Sequence, residues 1–101
     1  MNERLPNIHP GEVLDEEFLK PLNIPVVRFA RAIRISPTRI VGIVRQQRRI
    51  TPDLALRFGK FFGTSPQFWL GLQMDYDLEE KQQRLGAQLD RIHPLQAVSA
   101  M

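Results

Sequence analysis

Apolar residues recur at three- and four-residue intervals in successive stretches, each bounded by proline, glycine or a short polar run. Val13, Leu14, Phe18 and Leu19 define the first stretch, Phe29, Ala30 and Ile33 the second, and Ile40, Ile43 and Val44 the third. Leu54, Ala55, Leu56, Phe58, Phe61 and Phe62 form the fourth, and Phe68, Trp69, Leu70 and Leu72 open the fifth. Such spacing is that of amphipathic helices and predicts an all-α chain of five. Three of the boundaries use one device: Ser36-Pro37, Thr51-Pro52 and Ser65-Pro66 each place a capping hydroxyl before a proline that needs no helical donor. Gly63 is placed as the left-handed cap closing the fourth helix. The first helix is expected from Glu12, and Lys20-Pro21 stops it, because the residue before proline is pushed out of the α region. After Met74, Leu78, Leu85, Leu89 and Ile92 form a narrow stripe, offset by 7, 11 and 14 residues. A stripe that thin builds no core of its own and must lie against the domain or a second chain.

The pattern fits one domain of 101 residues. Residues 1–9 read as an irregular arm, 10–92 as the helical domain with an extended C-terminal helix, and 93–101 as a flexible tail. No apolar run approaches the roughly 20 residues of a bilayer span, and no signal peptide is visible. Without cysteine there is no disulfide framework and no thiolate metal site, which fits a cytoplasmic protein.

Charge changes the picture. The formal net charge is only +3, but residues 25–50 hold seven arginines and no acidic residue. Residues 1–24 carry two basic against five acidic side chains, and residues 75–101 carry three against five. A polyanion should therefore meet the second segment and not the whole surface. Within it, two short helices flank the turn Arg34-Ile35-Ser36, which reads as a helix-turn-helix over about residues 25–50 whose second helix enters a DNA major groove. With Ile40, Ile43 and Val44 inward, Thr38, Arg39, Gly42, Arg45 and Gln46 point outward. Thr38, Arg39 and Arg45 are the candidates for reading base edges, since arginine grips guanine O6 and N7 through two parallel bonds. Ser36, Gln46, Gln47, Arg48 and Arg49, with Arg28 and Arg31 on the preceding helix, are candidates for phosphate contact, which positions without reading sequence. Gly42 lacks a side chain, which either permits close approach to the groove wall or a thymine methyl or is simply tolerated there. Trp69 and the stripe Leu78, Leu85 and Leu89 are candidates for contact with a second chain.

Catalysis finds little support. His9 and His93 each precede proline near a chain end, outside any metal-ligand spacing. Asp15-Glu16-Glu17 reads as a solvated helix face. There is no glycine-rich phosphate loop and no nucleophile elbow, so the expectation is a binding protein that needs no cofactor.

Several stretches carry a resemblance. Ile8-His9-Pro10-Gly11-Glu12, Glu17-Phe18-Leu19, Leu54-Ala55-Leu56-Arg57-Phe58 and Phe62-Gly63-Thr64-Ser65-Pro66-Gln67-Phe68-Trp69-Leu70 resemble HigA-type antitoxins of the phage-repressor-like (Xre) helix-turn-helix superfamily. The likeness covers about residues 8 to 80. It implies a lambda-repressor-like five-helix fold and a homodimer on a palindromic operator in its own promoter. It also implies neutralisation of a HigB-type toxin, a small RelE-like ribonuclease. The chain departs from the family at Arg34 (usually glycine), at Val26 (often glutamine) and at Arg45-Gln46 (usually Asn-Gly). Two other readings stay open: a stand-alone regulator of the same superfamily without a toxin, and a module whose basic face meets an acidic protein or RNA.

Overall fold

The computed structural model describes residues 6–95. The first five residues of the expected arm and the last six of the expected tail lie outside that range. Within it the chain is helical with no strand. Helix α1 (Pro10–Val13) continues directly into a π-helical segment (Leu14–Leu19). It is followed by α2 (Val26–Ala32), α3 (Pro37–Val44), α4 (Pro52–Phe62) and α5 (Pro66–Leu89). Counting α1 with its continuation, these are the five helices that the periodicity predicts. None is long and apolar enough to cross a membrane.

Local chemistry sets each boundary. Ser36 Oγ accepts from Arg39 N at 3.3 Å, Thr51 Oγ1 from Leu54 N at 3.3 Å, and Ser65 Oγ from Phe68 N at 3.1 Å. Each satisfies an orphan donor at a helix start, and a proline follows each capping residue. The first helix differs from expectation. It starts at Pro10, two residues before Glu12, because His9 caps it: Nδ1 accepts from Gly11 N at 2.9 Å. Its later turns widen, with Lys20 N bonding to Asp15 O at 2.9 Å. Five-residue turns bring Leu14 and Leu19, 0% and 1% exposed, onto one face, which ordinary α spacing does not.

The helix ends are closed by left-handed residues. Arg34 (φ 64°) and Gln46 (φ 65°) each occupy the position after the cap of α2 and α3, and Asn23 (φ 56°) stands in the turn that follows the first helix, three residues beyond its cap Lys20. The paired bonds of a Schellman motif accompany each. After α2 they are Ile35 N to Ala30 O at 2.9 Å and Arg34 N to Arg31 O at 3.1 Å. After α3 they are Gln47 N to Gly42 O at 2.8 Å and Gln46 N to Ile43 O at 2.9 Å. Gly63 (φ 78°) closes α4 as expected.

The core joins Leu14, Leu19, Phe29, Ile40, Ile43, Ile50, Leu54, Phe58 and Trp69. Phe29 packs on Phe58 and Phe62 at 5.3 and 5.1 Å between centroids. Trp69 packs on Phe18 and Phe58 at 4.9 and 5.1 Å. Trp69 donates its indole N–H to Thr64 Oγ1 at 2.7 Å, so the one polar atom of a buried aromatic is satisfied. Phe61 and Phe68, read as part of the apolar stretches of the fourth and fifth helices, sit at the edge of this cluster and stay 40% exposed.

Gly11 has the tightest surroundings of the glycines. A Cβ there would lie 1.8 Å from the carbonyl oxygen of Ile43, so the start of α1 lies directly against the backbone of α3. Gly11→Ala should therefore lower unfolding free energy by about 1–3 kcal/mol through overpacking. Gly63→Ala, where nothing stands within 4 Å, should cost about 1 kcal/mol through the left-handed backbone alone. Gly86→Ala, in open space within α5, should gain up to about 1 kcal/mol from helix propensity. Urea denaturation of the three variants measures all of this, and a silent Gly11→Ala would contradict the packing described.

Candidate nucleic-acid interface

Helix α3 presents the site. Ile40 and Ile43 are fully buried, which turns Thr38, Val41 and Arg45 outward along one ridge at i, i+3 and i+7. Val41 escaped the sequence reading. Its half-buried apolar side chain lies between Thr38 and Arg45, where helical spacing alone puts it. Arg39 stands on the flank of the helix, half-buried, and lines a cleft of about 440 Å³ with Gln46, Gln47, Arg48 and Arg49. Thr38, Arg45, Gln46, Gln47 and Arg48 are all exposed, and so are Arg28 and Arg31 on α2. The structure thus gathers Arg39 with the Gln46–Arg49 loop at one side of α3 and leaves Arg28 and Arg31 on the neighbouring helix.

Ser36 Oγ is occupied as an acceptor by the cap, but a hydroxyl can still donate, and the residue is exposed. Gly42 does not face an open groove wall. It is buried because the stem of Arg48 folds over it, and an added Cβ would stand 2.8 Å from Arg48 Cδ. The missing side chain seats an arginine instead of admitting a base.

Arg49 is the exception among the cations of this face. Its Nη2 donates to Asp77 Oδ2 at 2.7 Å. Among the described residues, no carboxylate lies within ion-pair distance of Arg39, Arg45 or Arg48. Asp77 belongs to a chain of bonds that sequence reasoning missed. Buried Gln73 accepts from Ile50 N at 2.7 Å and donates to Asp77 Oδ1 at 3.0 Å. The Arg49 guanidinium holds the Asp77 carboxyl below the usual carboxylate range, and Asp77 in turn raises the guanidinium. The only sequence signal was an i, i+4 polar pair inside an otherwise unremarkable helix.

The candidates for contact with a second chain divide. Trp69 is 0% exposed inside the aromatic cluster and cannot reach a partner; this corrects the expectation, and burial of the whole indole is the reason. Leu78 and Leu89 are 57% and 42% exposed, and Leu85 is half-buried. The stripe on α5 therefore does not pack back on the domain.

No family model matches the chain. Over 79 residues it is 49% identical to virulence-associated protein I of Dichelobacter nodosus, covering 78% of this chain and 73% of that protein. Among solved structures, the antitoxin HigA of Pseudomonas aeruginosa, determined with the higBA promoter, superposes with a TM-score of 0.86 at 43% identity. That match covers 89% of this chain and 99% of the other. An addiction module antidote protein of a HigA family from Coxiella burnetii gives 0.85 at 37% identity, covering 90% and 100%.

His9 joins the cap to the site. Its ring meets Tyr76 edge-on at 4.8 Å and lines the same cleft as Asp77. Burial pushes the imidazole below its ordinary value, and the nearby Asp77 carboxylate offsets this only partly. Protonating Nδ1 would also forfeit its acceptor role toward Gly11. The unfolded chain therefore takes up this proton first as pH falls through about 6.5. Stability should be full above that value and decline below it, by no more than about 1.4 kcal/mol per pH unit for one proton. His9→Asn keeps a capping acceptor without titrating. Thermal melts between pH 7.5 and 5 should slope for the parent and flatten for the variant; parallel curves would count against His9 as the source.

Proposed function

The chain belongs to the HigA-type antitoxin family of helix-turn-helix proteins, and from that premise we propose that it binds a palindromic operator in its own promoter as a homodimer. Bound there, it represses its operon, and as an antitoxin it neutralises a HigB-type ribonuclease toxin. The observation that carries the DNA reading is the outward ridge of α3, Thr38–Val41–Arg45, flanked by Arg39 and Arg48 without carboxylate partners among the described residues. A duplex is a line of phosphates around a groove wide enough for a helix, and this face offers a helix edged with guanidinium groups. The relative solved with promoter DNA supports the same reading.

In this mechanism Arg45 and Thr38 reach base edges from the ridge, and Val41 offers an apolar contact suited to a thymine methyl. Arg39, Gln46, Gln47 and Arg48 meet the adjoining backbone strand, with Arg39 close enough to the ridge to share in base contact. Arg28 and Arg31 meet phosphates from α2, and Ser36 Oγ can donate to one while it caps. Two such ridges about 34 Å apart would enter successive major grooves on one side of the duplex. The uncovered stripe Leu78–Leu85–Leu89 on α5 offers the apolar surface through which a second copy holds that spacing. Occupation of the promoter then excludes polymerase. Toxin neutralisation is supported by family membership, and a reading frame for a small ribonuclease beside the gene separates it from a stand-alone regulator.

Binding to a duplex from its own promoter and to a scrambled duplex, followed by fluorescence polarisation, tests the assignments. Arg45→Ala should cost about 1–3 kcal/mol on the promoter and far less on the scrambled sequence. Arg48→Ala should weaken both alike and reduce the salt slope by about one unit. Gly42→Ala should leave the fold intact, because only the flexible, exposed side chain of Arg48 must move and no backbone stands in the way, yet weaken both duplexes as Arg48 is displaced. Equal losses on both duplexes for Arg45→Ala would remove it from base readout.

A further inference from the structure

The phosphate-facing loop after α3 does not fold freely. It is held from behind at two successive residues. Ile50, 1% exposed, gives its backbone N–H to Gln73 Oε1 at 2.7 Å. Arg49 gives Nη2 to Asp77 Oδ2 at 2.7 Å. Gln73 Nε2 closes the circuit on Asp77 Oδ1 at 3.0 Å, so one carboxylate is gripped by both the amide and the guanidinium. Gln73 and Asp77 are one turn apart on α5, a helix that contributes nothing to the ridge of α3. Asp77 is also the one carboxylate among the described residues lining the cleft where Arg39, Arg48 and Arg49 converge.

We infer that Asp77 is an affinity-limiting residue: it withholds Arg49 from the phosphate backbone and so lowers the protein's affinity for DNA of any sequence. The inference rests on the operator-binding reading and deepens it. Phosphate contacts supply most of the affinity for non-specific DNA, and each adds about 0.9 to the dependence of log K on log salt. One such contact fewer lowers binding to the operator and to competing sites alike, which leaves discrimination to the base contacts and speeds release from both. Arg49 is the cation that can be withheld without disturbing the ridge, because it lies beyond the end of α3 and beside α5. The pair is solvent-exposed, its side chains 62% and 39% accessible, so it is weak as a stabilising element. Its effect is on the charge offered to the duplex. The Gln73 amide keeps the Asp77 carboxylate turned toward Arg49 and thereby acts as a positioning residue.

Asp77→Asn tests this with little risk to the fold, since the Asn amide oxygen still accepts from Gln73. Asp75→Asn, two residues earlier on the same helix, removes the same charge without releasing Arg49 and serves as the control. Affinity for the promoter duplex and for the scrambled duplex is measured between 50 and 200 mM salt. Asp77→Asn should bind both duplexes roughly fivefold to tenfold more tightly near 0.1 M salt, with a slope steeper by about 0.9. Asp75→Asn should shift affinity much less. In the Arg49→Gln background, adding Asp77→Asn should bring no gain and no change of slope. Gln73→Glu, which removes the amide donor to Asp77, should move the slope in the same direction as Asp77→Asn, and an unchanged slope would remove Gln73 from the positioning role. A merely structural pair would move the melting temperature and leave the slope alone. The inference is overturned if Asp77→Asn weakens promoter binding, matches Asp75→Asn, or gains equally without Arg49. A parent chain that binds its promoter no better than the scrambled duplex would overturn the operator reading instead.

Discussion

Helix α3 is eight residues long, and a helix of that length does not persist alone in water. It exists because Ile40 and Ile43 are wholly buried, each contributing about 1.5–3 kcal/mol, and because both ends are closed. Ser36 accepts at the start, and Gln46 in the left-handed conformation closes the finish. Everything the site offers follows from this anchoring. If the inner face is fixed, the outer ridge is fixed, and the arginines stand where the helix puts them. The same burial excludes the reverse arrangement, in which guanidinium groups would have to be desolvated.

Two of the stretches that carry the likeness to the family, one at the start of α1 and one leading into α5, do this anchoring at a distance from the ridge. In the first, His9 caps, Pro10 supplies a start without a donor, and Gly11 lets α1 lie on the Ile43 carbonyl. In the second, Gly63 turns the chain, Thr64 receives the Trp69 indole, Ser65 caps and Pro66 starts α5. Both are solutions to backbone and packing problems. The outward ridge of α3 takes no part in either.

Helix count, capping devices and the inward face of α3 were legible in the sequence because they rest on local chemistry and spacing. Ser36, Thr51 and Ser65 cap, and Gly63 is left-handed, as local rules require. The rest depended on what folding brings together. Neither the π-helical turns of Leu14–Leu19 nor the cap at His9 has a periodic signature, since each answers a tertiary contact. Gly42 could be read as an opening because its neighbour Arg48, six residues on, folds back only once Gln46 has turned the chain. Trp69 was taken for a surface residue in part, but an aromatic shared by Phe18 and Phe58 belongs to the interior. The pairing of Arg49 with Asp77 spans 28 residues, and no charge count along the chain can reveal it.

The ridge of α3, with the loop behind it, should be the surface that meets the duplex. Amide NMR of the chain titrated with its promoter duplex tests this directly. The large shifts should fall at Thr38, Val41, Arg45, Gln46, Gln47 and Arg48, with smaller ones at Arg28 and Arg31. Shifts confined to the acidic face around Glu12–Glu17, or to the far half of α5, with Thr38 through Arg48 unmoved, would contradict it.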